Sequence, residues 1–149
     1  MDQYQTLTYL QAALITNAVY AFSTFFLLWV AFRFAGRLRE GGGTLFAKAL
    51  TTIFGLMIIW QGMLLFAARS LSFSAAAKSL RAIKASGQTL GAQAEAMLST
   101  PFVPAAGVEP QFNIFGDPAS VLFWLVVALM LLGVIWMPRQ KSQLIPLPR

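Results

Sequence analysis

Residues 45–68 read LFAKALTTIFGLMIIWQGMLLFAA, and Lys48 is the only charged residue in this run. Two similar runs occupy 9–34, where Arg33 is the only charge, and 119–137, which has none. A helix of about 20 apolar residues crosses a hydrocarbon core about 30 Å thick. The sequence therefore predicts an all-α integral membrane protein, a single membrane domain with three transmembrane helices. Asp117 followed by Pro118 is typical of the start of the third helix.

The composition supports a membrane protein and excludes several kinds of metal-binding, redox and acid–base site. The chain is 58% hydrophobic and contains no histidine and no cysteine, whereas soluble domains are about 45–50% apolar. Disulfides, thiolate or histidine metal sites and a histidine proton shuttle are excluded. No carboxylate lies within an apolar run, so the chain has no intramembrane acid to carry protons. We expect a protein that is not an enzyme and has no catalytic or metal-binding residues.

Charge predicts an orientation, because cytoplasmic loops of membrane proteins are enriched in Lys and Arg. The loop 35–44 with its flanks and the tail 138–149 share one side of the membrane. That side carries Arg33, Arg37, Arg39, Lys48, Arg139, Lys141 and Arg149, against Glu40 alone. The segment 69–118 carries both signs. These counts predict a bacterial inner-membrane protein with a periplasmic N-terminus and a cytoplasmic C-terminus. The net charge of +6 then belongs to membrane flanks, and no nucleic-acid partner is expected.

Small and polar residues mark packing faces on the first two spans. Asn17, Ala21 and Thr24 share one face of the first span. On the second span, the marked positions are Gly55, Gln61 and Gly62. Such residues let helices approach closely and form hydrogen bonds in lipid, so we predict that these six positions contact other helices. A polar path for a substrate or proton, or a ligand at Gln61, is the alternative. The third span has no such face and is expected to be an anchor or a lipid-facing helix.

An amphipathic pattern follows the second span. Its apolar stripe contains Phe73, Leu80, Ile83, Leu90 and Met97, and Gly87 and Gly91 could bend or break the helix. The segment could lie on the membrane surface, extend the second span outward onto another protein, or be poorly ordered. Because much of the stripe is alanine, we favour an extramembrane amphipathic helix that docks on a partner subunit.

The sequence contains no phosphate-binding loop, metal motif or nucleophile–base set. The leading hypothesis is therefore a non-catalytic accessory or structural subunit of a multi-subunit inner-membrane complex, such as an energy-transducing, light-harvesting, transport or secretion assembly. Its partners would be other integral membrane subunits and membrane lipids. No cofactor is expected, although a lipid, quinone or pigment could intercalate between the helices. The alternatives are a self-assembling pore, which would resemble a phage holin in topology and charge, and a small homo-oligomeric channel or exporter.

Overall fold

The computed structural model describes residues 2–101 and 103–137, and the predicted tail 138–149 lies outside them. Within these residues the chain is all-helical. The helices are α1 (Gln3–Gly41), α2 (Leu45–Ala85), α3 (Ala92–Leu98) and α4 (Pro118–Trp136). Of these, α1, α2 and α4 are long and apolar enough to cross a membrane. The predicted membrane protein with three spanning helices is therefore supported.

The first two helices form a long hairpin because short polar and glycine residues end one helix and start the next. Asp2 caps α1 by accepting the N–H of Gln5 at 2.7 Å. Gly42 ends α1 in a left-handed conformation with φ of 66°, which glycine adopts without strain. Thr44 then caps α2. At 1.5 Å per residue, α1 and α2 are each about 60 Å long, roughly twice the span that a bilayer requires.

The third spanning helix, α4, packs against both α1 and α2. Asp117 caps α4 by accepting the N–H groups of Ala119 and Ser120 and the Ser120 hydroxyl. The Ser120 hydroxyl, aided by the two N–H groups, holds the pKa of Asp117 below its usual value despite some desolvation. The Asp117–Pro118 helix start predicted from the sequence is confirmed.

Two glycines of α2 allow α4 to approach closely. A Cβ on Gly55 would overlap the Leu131 side chain, and a Cβ on Gly62 would overlap the Trp124 indole. The residue number rises by seven along α2 as it falls by seven along α4, so the two helices are antiparallel. Trp136 extends this register by donating its indole N–H to the Thr52 hydroxyl at 3.1 Å.

The buried core lies between all three long helices. Its α4 members follow helical spacing, and Trp124, Leu131 and Ile135 are almost fully buried. The expectation that the third span is only an anchor or a lipid-facing helix is therefore wrong for this face. The core residues are Leu28, Ala31, Ala35, Ile58, Ile59, Trp124, Val127, Leu131 and Ile135.

Beyond the second apolar run the helix does not stop. Residues 69–85 continue α2 without a break, and Gly87, with φ of 86°, lies in the connection to α3. The residues assigned to the docking helix are distributed along this path. Phe73, Leu80 and Ile83 lie on α2, Leu90 lies in the connection, and Met97 lies on α3. Leu80 is fully buried within the chain.

Polar contacts hold α3 and the following loop against α2 and α1. Lys84 pairs with Glu95 at 2.7 Å, and Lys78 pairs with Glu109. Arg81 donates to backbone carbonyls at 104 and 105, and the Gln3 side chain accepts the N–H of Gly91 at 2.9 Å.

The two ion pairs, Lys84–Glu95 and Lys78–Glu109, are more than 40% exposed, and exposed pairs contribute only about 0–1 kcal/mol. They fix the position of α3 more than they stabilise the fold. We call this end of the bundle the α3 end, and the end with the 42–44 turn the hairpin end.

The contacts of Gly55 and Gly62 with α4 predict that substitutions at the two positions lower the stability by different amounts. Gly62→Ala should destabilise the protein by about 1–3 kcal/mol, because the added methyl meets a rigid, buried ring. Gly55→Ala should cost less, because the end of the Leu131 side chain can rotate away. Gly36→Ala is the control: nothing lies within 4 Å of its Cβ position, and alanine favours the helix by about 0.5–1 kcal/mol. Far-UV circular dichroism during SDS titration of the protein in mixed micelles measures these changes. Equal effects at positions 36 and 62 would contradict the packing.

Candidate functional site: the polar groove between α1 and α2

A groove of about 630 Å³ runs along the α1–α2 contact in the half of the bundle nearer the α3 end. Its walls combine small residues with hydroxyl and amide side chains. We call it the polar groove; its lining residues are Tyr9, Ala12, Ala13, Thr16, Asn17, Tyr20, Gln61, Leu64, Leu65, Ala68, Ser72 and Phe112. No Lys, Arg, Asp or Glu is among these lining residues, so the groove can form hydrogen bonds and packing contacts but offers no acid–base pair.

One hydrogen bond joins the two helices at the groove. The Asn17 amide donates to the backbone carbonyl of Leu65 at 2.9 Å. The predicted interhelical role of Asn17 therefore has a direct counterpart in the structure, although its acceptor is backbone and not a side chain. Ala21 and Thr24 lie on the same face of α1. The Thr24 hydroxyl donates to the Tyr20 carbonyl of its own helix at 2.8 Å, so it does not cross between helices.

Gln61 lies on the α2 wall of the polar groove. Within the part of the chain that the structure describes, its amide forms no hydrogen bond, with Asn17 or otherwise, and its side chain is exposed in the groove. Gln61 lies eight residues from Arg69 and thirteen from Lys48 along α2. These separations are about 12 and 20 Å, which places the amide well inside the apolar length of the helix.

Two polar neighbours of Gln61 share this exposure. Thr16 and Tyr20 are exposed on the facing side of the groove, and Tyr20 exposes 57% of its surface. Ala12, Ala13 and Ala68 add little side-chain bulk between them. The groove thus places these polar groups among small side chains and larger apolar ones such as Leu64 and Phe112, in a region where neighbouring exposed residues such as Met57 and Trp60 are large and apolar.

A second and smaller space lies on the opposite side of Asn17 and Leu65. It has a volume of about 190 Å³ and is bounded by all three long helices. We call it the aromatic cavity; its lining residues are Asn17, Ala21, Thr24, Phe25, Gly62, Leu65, Phe66, Arg69 and Trp124. Asn17 and Leu65 line both spaces, so their hydrogen bond lies at the boundary between the groove and the cavity.

The six predicted contact residues thus fall into three places. Gly55 receives α4 in the core, and Gly62 does so beside the aromatic cavity. Asn17, Ala21 and Thr24 line the aromatic cavity, and Gln61 faces the polar groove. Sequence reasoning missed Trp124 and Leu131 as the partners of the two glycines. The spacing of Trp124, Val127 and Leu131 on one helical face was the only signal, and it was hidden by the uniformly apolar residues around it.

The bond between Asn17 and Leu65 can be measured. Asn17→Leu removes the donor at similar side-chain size and should destabilise the protein by about 0.6 kcal/mol, with 1.7 kcal/mol as an upper bound. Ser23→Ala is the control, because the Ser23 hydroxyl donates to the Val19 carbonyl of its own helix at 3.1 Å and should change little. Unfolding free energies from SDS titration compare the two. A larger loss for Ser23→Ala would contradict the assignment.

Comparisons with protein-family models, with curated proteins and with solved structures gave no match for this chain. Its function is therefore inferred from the geometry of the polar groove and from the distribution of charge.

Proposed function

We propose that this protein is a non-catalytic accessory or structural subunit of a multi-subunit membrane complex, and that its polar groove receives a transmembrane helix of a partner subunit. The observation that carries the proposal is the exposure of Gln61, Thr16 and Tyr20 at membrane depth. Polar side chains that face hydrocarbon without partners are costly and rare in membrane proteins. A partner helix that carries its own polar side chains would satisfy them.

The residues that line the groove suit a helix as its occupant. Transmembrane helices associate through close packing at small residues, with hydrogen bonds between polar side chains that contribute up to about 1–2 kcal/mol each. The groove supplies both elements, with alanines at 12, 13 and 68 and donors and acceptors at 16, 20 and 61. A lipid acyl chain would fill the space but would leave the Gln61 amide without a hydrogen-bonding partner.

The proposed location is the bacterial inner membrane, with the hairpin end in the cytoplasm. At the α3 end, Lys78 and Lys84 are paired with carboxylates of this chain. Within 2–101 and 103–137, no ion pair occurs at the hairpin end. There, Arg33 lies 5.8 Å from the Trp29 ring centre, and the Lys48 amine lies 5.9 Å from the Trp136 ring centre. Such unneutralised cations beside aromatic rings fit the cytoplasmic interface and its anionic lipids.

The α3 end is the proposed second contact with the complex. The extramembrane amphipathic helix proposed for this region corresponds to the last turns of α2 together with α3, held by the Lys84–Glu95 pair. Phe73, Ile83, Leu90 and Met97 remain only half-buried on this unit. A peripheral partner outside the membrane could cover them, whereas Leu80 is already covered by the chain itself.

Blue-native electrophoresis of membranes from the source organism tests the proposal. The unmodified protein should migrate in a large complex, and Gln61→Leu should release much of it as a small species, because the groove loses its central amide. Ser23→Ala, which removes a hydroxyl that is already bonded within α1, should leave the complex intact.

Two results would overturn the subunit proposal. One is migration of the unmodified protein as a lone small species. The other is formation of large oligomers by the protein expressed alone, with lysis of the host cells or ion flux in liposomes. This second result would support the holin-like pore or the small channel instead, with grooves of neighbouring copies facing each other.

A further inference from the structure

An open cleft of about 230 Å³ lies on α1 at the hairpin end. At 100° per residue, its lining positions share the helix face opposite the fully buried Ala31 and Ala35. The cleft therefore points away from the other two long helices. We call it the basic cleft; its lining residues are Trp29, Val30, Arg33, Phe34 and Arg37.

The basic cleft presents two cations to its surroundings. Arg33 and Arg37 are exposed, and neither forms a salt bridge within 2–101 and 103–137. Glu40, the only acid between residues 3 and 94, does not line the cleft and lies beyond Arg37 on the side away from the apolar run. The Arg33 guanidinium lies against Trp29, four residues back towards the middle of the span. An anion at this depth would meet both guanidinium groups.

The level of the cleft along the bundle corresponds to a membrane–water interface. Counted from the hydrogen bond between Asn17 and Leu65, sixteen residues forward along α1 reach Arg33, and sixteen back along α2 end beside Lys48. The Lys48 amine lies 5.9 Å from the Trp136 ring centre. Two cations thus occupy one level, each against a tryptophan. Tryptophan and the ends of long basic side chains concentrate at the interface.

The same face of α1 continues into the apolar run as exposed aromatic rings. Phe22 and Phe26 are 76% and 55% exposed, and the Phe26 ring centre lies 5.9 Å from that of Trp29. From Phe22 to Arg37 the helix rises about 22 Å, which is half of a bilayer about 40–45 Å thick with its headgroups. The face therefore matches one lipid molecule in one leaflet, with rings beside the chains and cations at the headgroup.

We propose that the basic cleft binds the phosphate of one anionic phospholipid, whose acyl chains lie along Phe22 and Phe26. Arg33 and Arg37 donate charge-assisted hydrogen bonds to the phosphate oxygens. A zwitterionic headgroup would bring its own ammonium group next to the two arginines, whereas a headgroup with net negative charge would not. The cleft shares no lining residue with the polar groove, so this site goes beyond the accessory role and gives the protein a lipid ligand.

Fluorescence quenching in reconstituted vesicles tests the proposal, because bromine on the acyl chains quenches a tryptophan that it contacts. The protein carries Trp60→Phe and Trp136→Phe, so Trp29 is the exposed reporter and Trp124, which is 1% exposed, gives a constant background. Brominated phosphatidylglycerol and brominated phosphatidylcholine are compared in vesicles of unlabelled phosphatidylcholine. Phosphatidylglycerol should saturate the quenching at a much lower mole fraction than phosphatidylcholine does.

Three single substitutions separate a site from general surface charge. Arg33→Gln and Arg37→Gln should each lower the relative affinity for phosphatidylglycerol about fivefold, which corresponds to about 1 kcal/mol for one cation near an anionic lipid surface. Arg39→Gln is the matched control, because it removes the same charge from an exposed residue that does not line the cleft, and the preference should remain. Quenching by phosphatidylcholine should be the same in all three variants, which shows that they insert alike.

Three results would overturn the proposal. Equal quenching by the two lipids would leave the arginines to acidic side chains of a partner protein. Equal losses for Arg37→Gln and Arg39→Gln would show diffuse attraction to a charged surface. Displacement of phosphatidylglycerol by inorganic phosphate at constant ionic strength would show a site for a free anion. The protein is tested by itself, so none of these results depends on whether it belongs to a larger complex.

Discussion

The contact between Gly62 of α2 and Trp124 of α4 is the constraint on which the rest of the bundle depends. With no side chain at position 62, the indole lies directly against the α2 backbone, and Gly55 repeats the arrangement two turns away with Leu131. Lipid chains are as apolar as leucine, so moving a leucine from lipid into a helix contact gains little free energy. Close packing must therefore hold the helices together. The two glycines set the register of α4 and form one boundary of the aromatic cavity.

The two sides of the α1–α2 hairpin differ: one is closely packed and the other exposes polar side chains. The core, centred on α4, covers one side of the hairpin, and the polar groove lies on the other side of the Asn17–Leu65 bond. The first side is closed by residues of this chain, whereas the second presents Gln61 and Tyr20 at membrane depth. This asymmetry is the basis on which we propose a partner helix, because an amide that faces hydrocarbon without a hydrogen-bonding partner is costly.

The parts of the structure that follow from local pattern could be predicted from the sequence. The apolar runs predicted three spanning helices, Asp117 predicted the start of α4, and the spacing of Gly55 and Gly62 predicted a close helix contact. The partners of these glycines could not be predicted, since α4 is apolar on every face and periodicity does not show which face is buried. Nor could the acceptor of Asn17, which is a backbone carbonyl. The continuation of α2 to Ala85 was only one of three alternatives, because the end of an apolar run does not by itself end a helix.

The absence of cysteine in the chain makes the α2–α4 register open to a direct measurement. In the double variant Gly55→Cys with Leu131→Cys, the removed leucine leaves room for the added side chain, because a Cβ at position 55 points at the end of the Leu131 side chain. Oxidation in native membranes should form an intramolecular disulfide in high yield. The pair Met57→Cys with Leu131→Cys should not react, because Met57 lies on the exposed side of α2. Cross-linking of the Met57 pair in preference to the Gly55 pair would contradict the packing on which the groove and the cavity both depend.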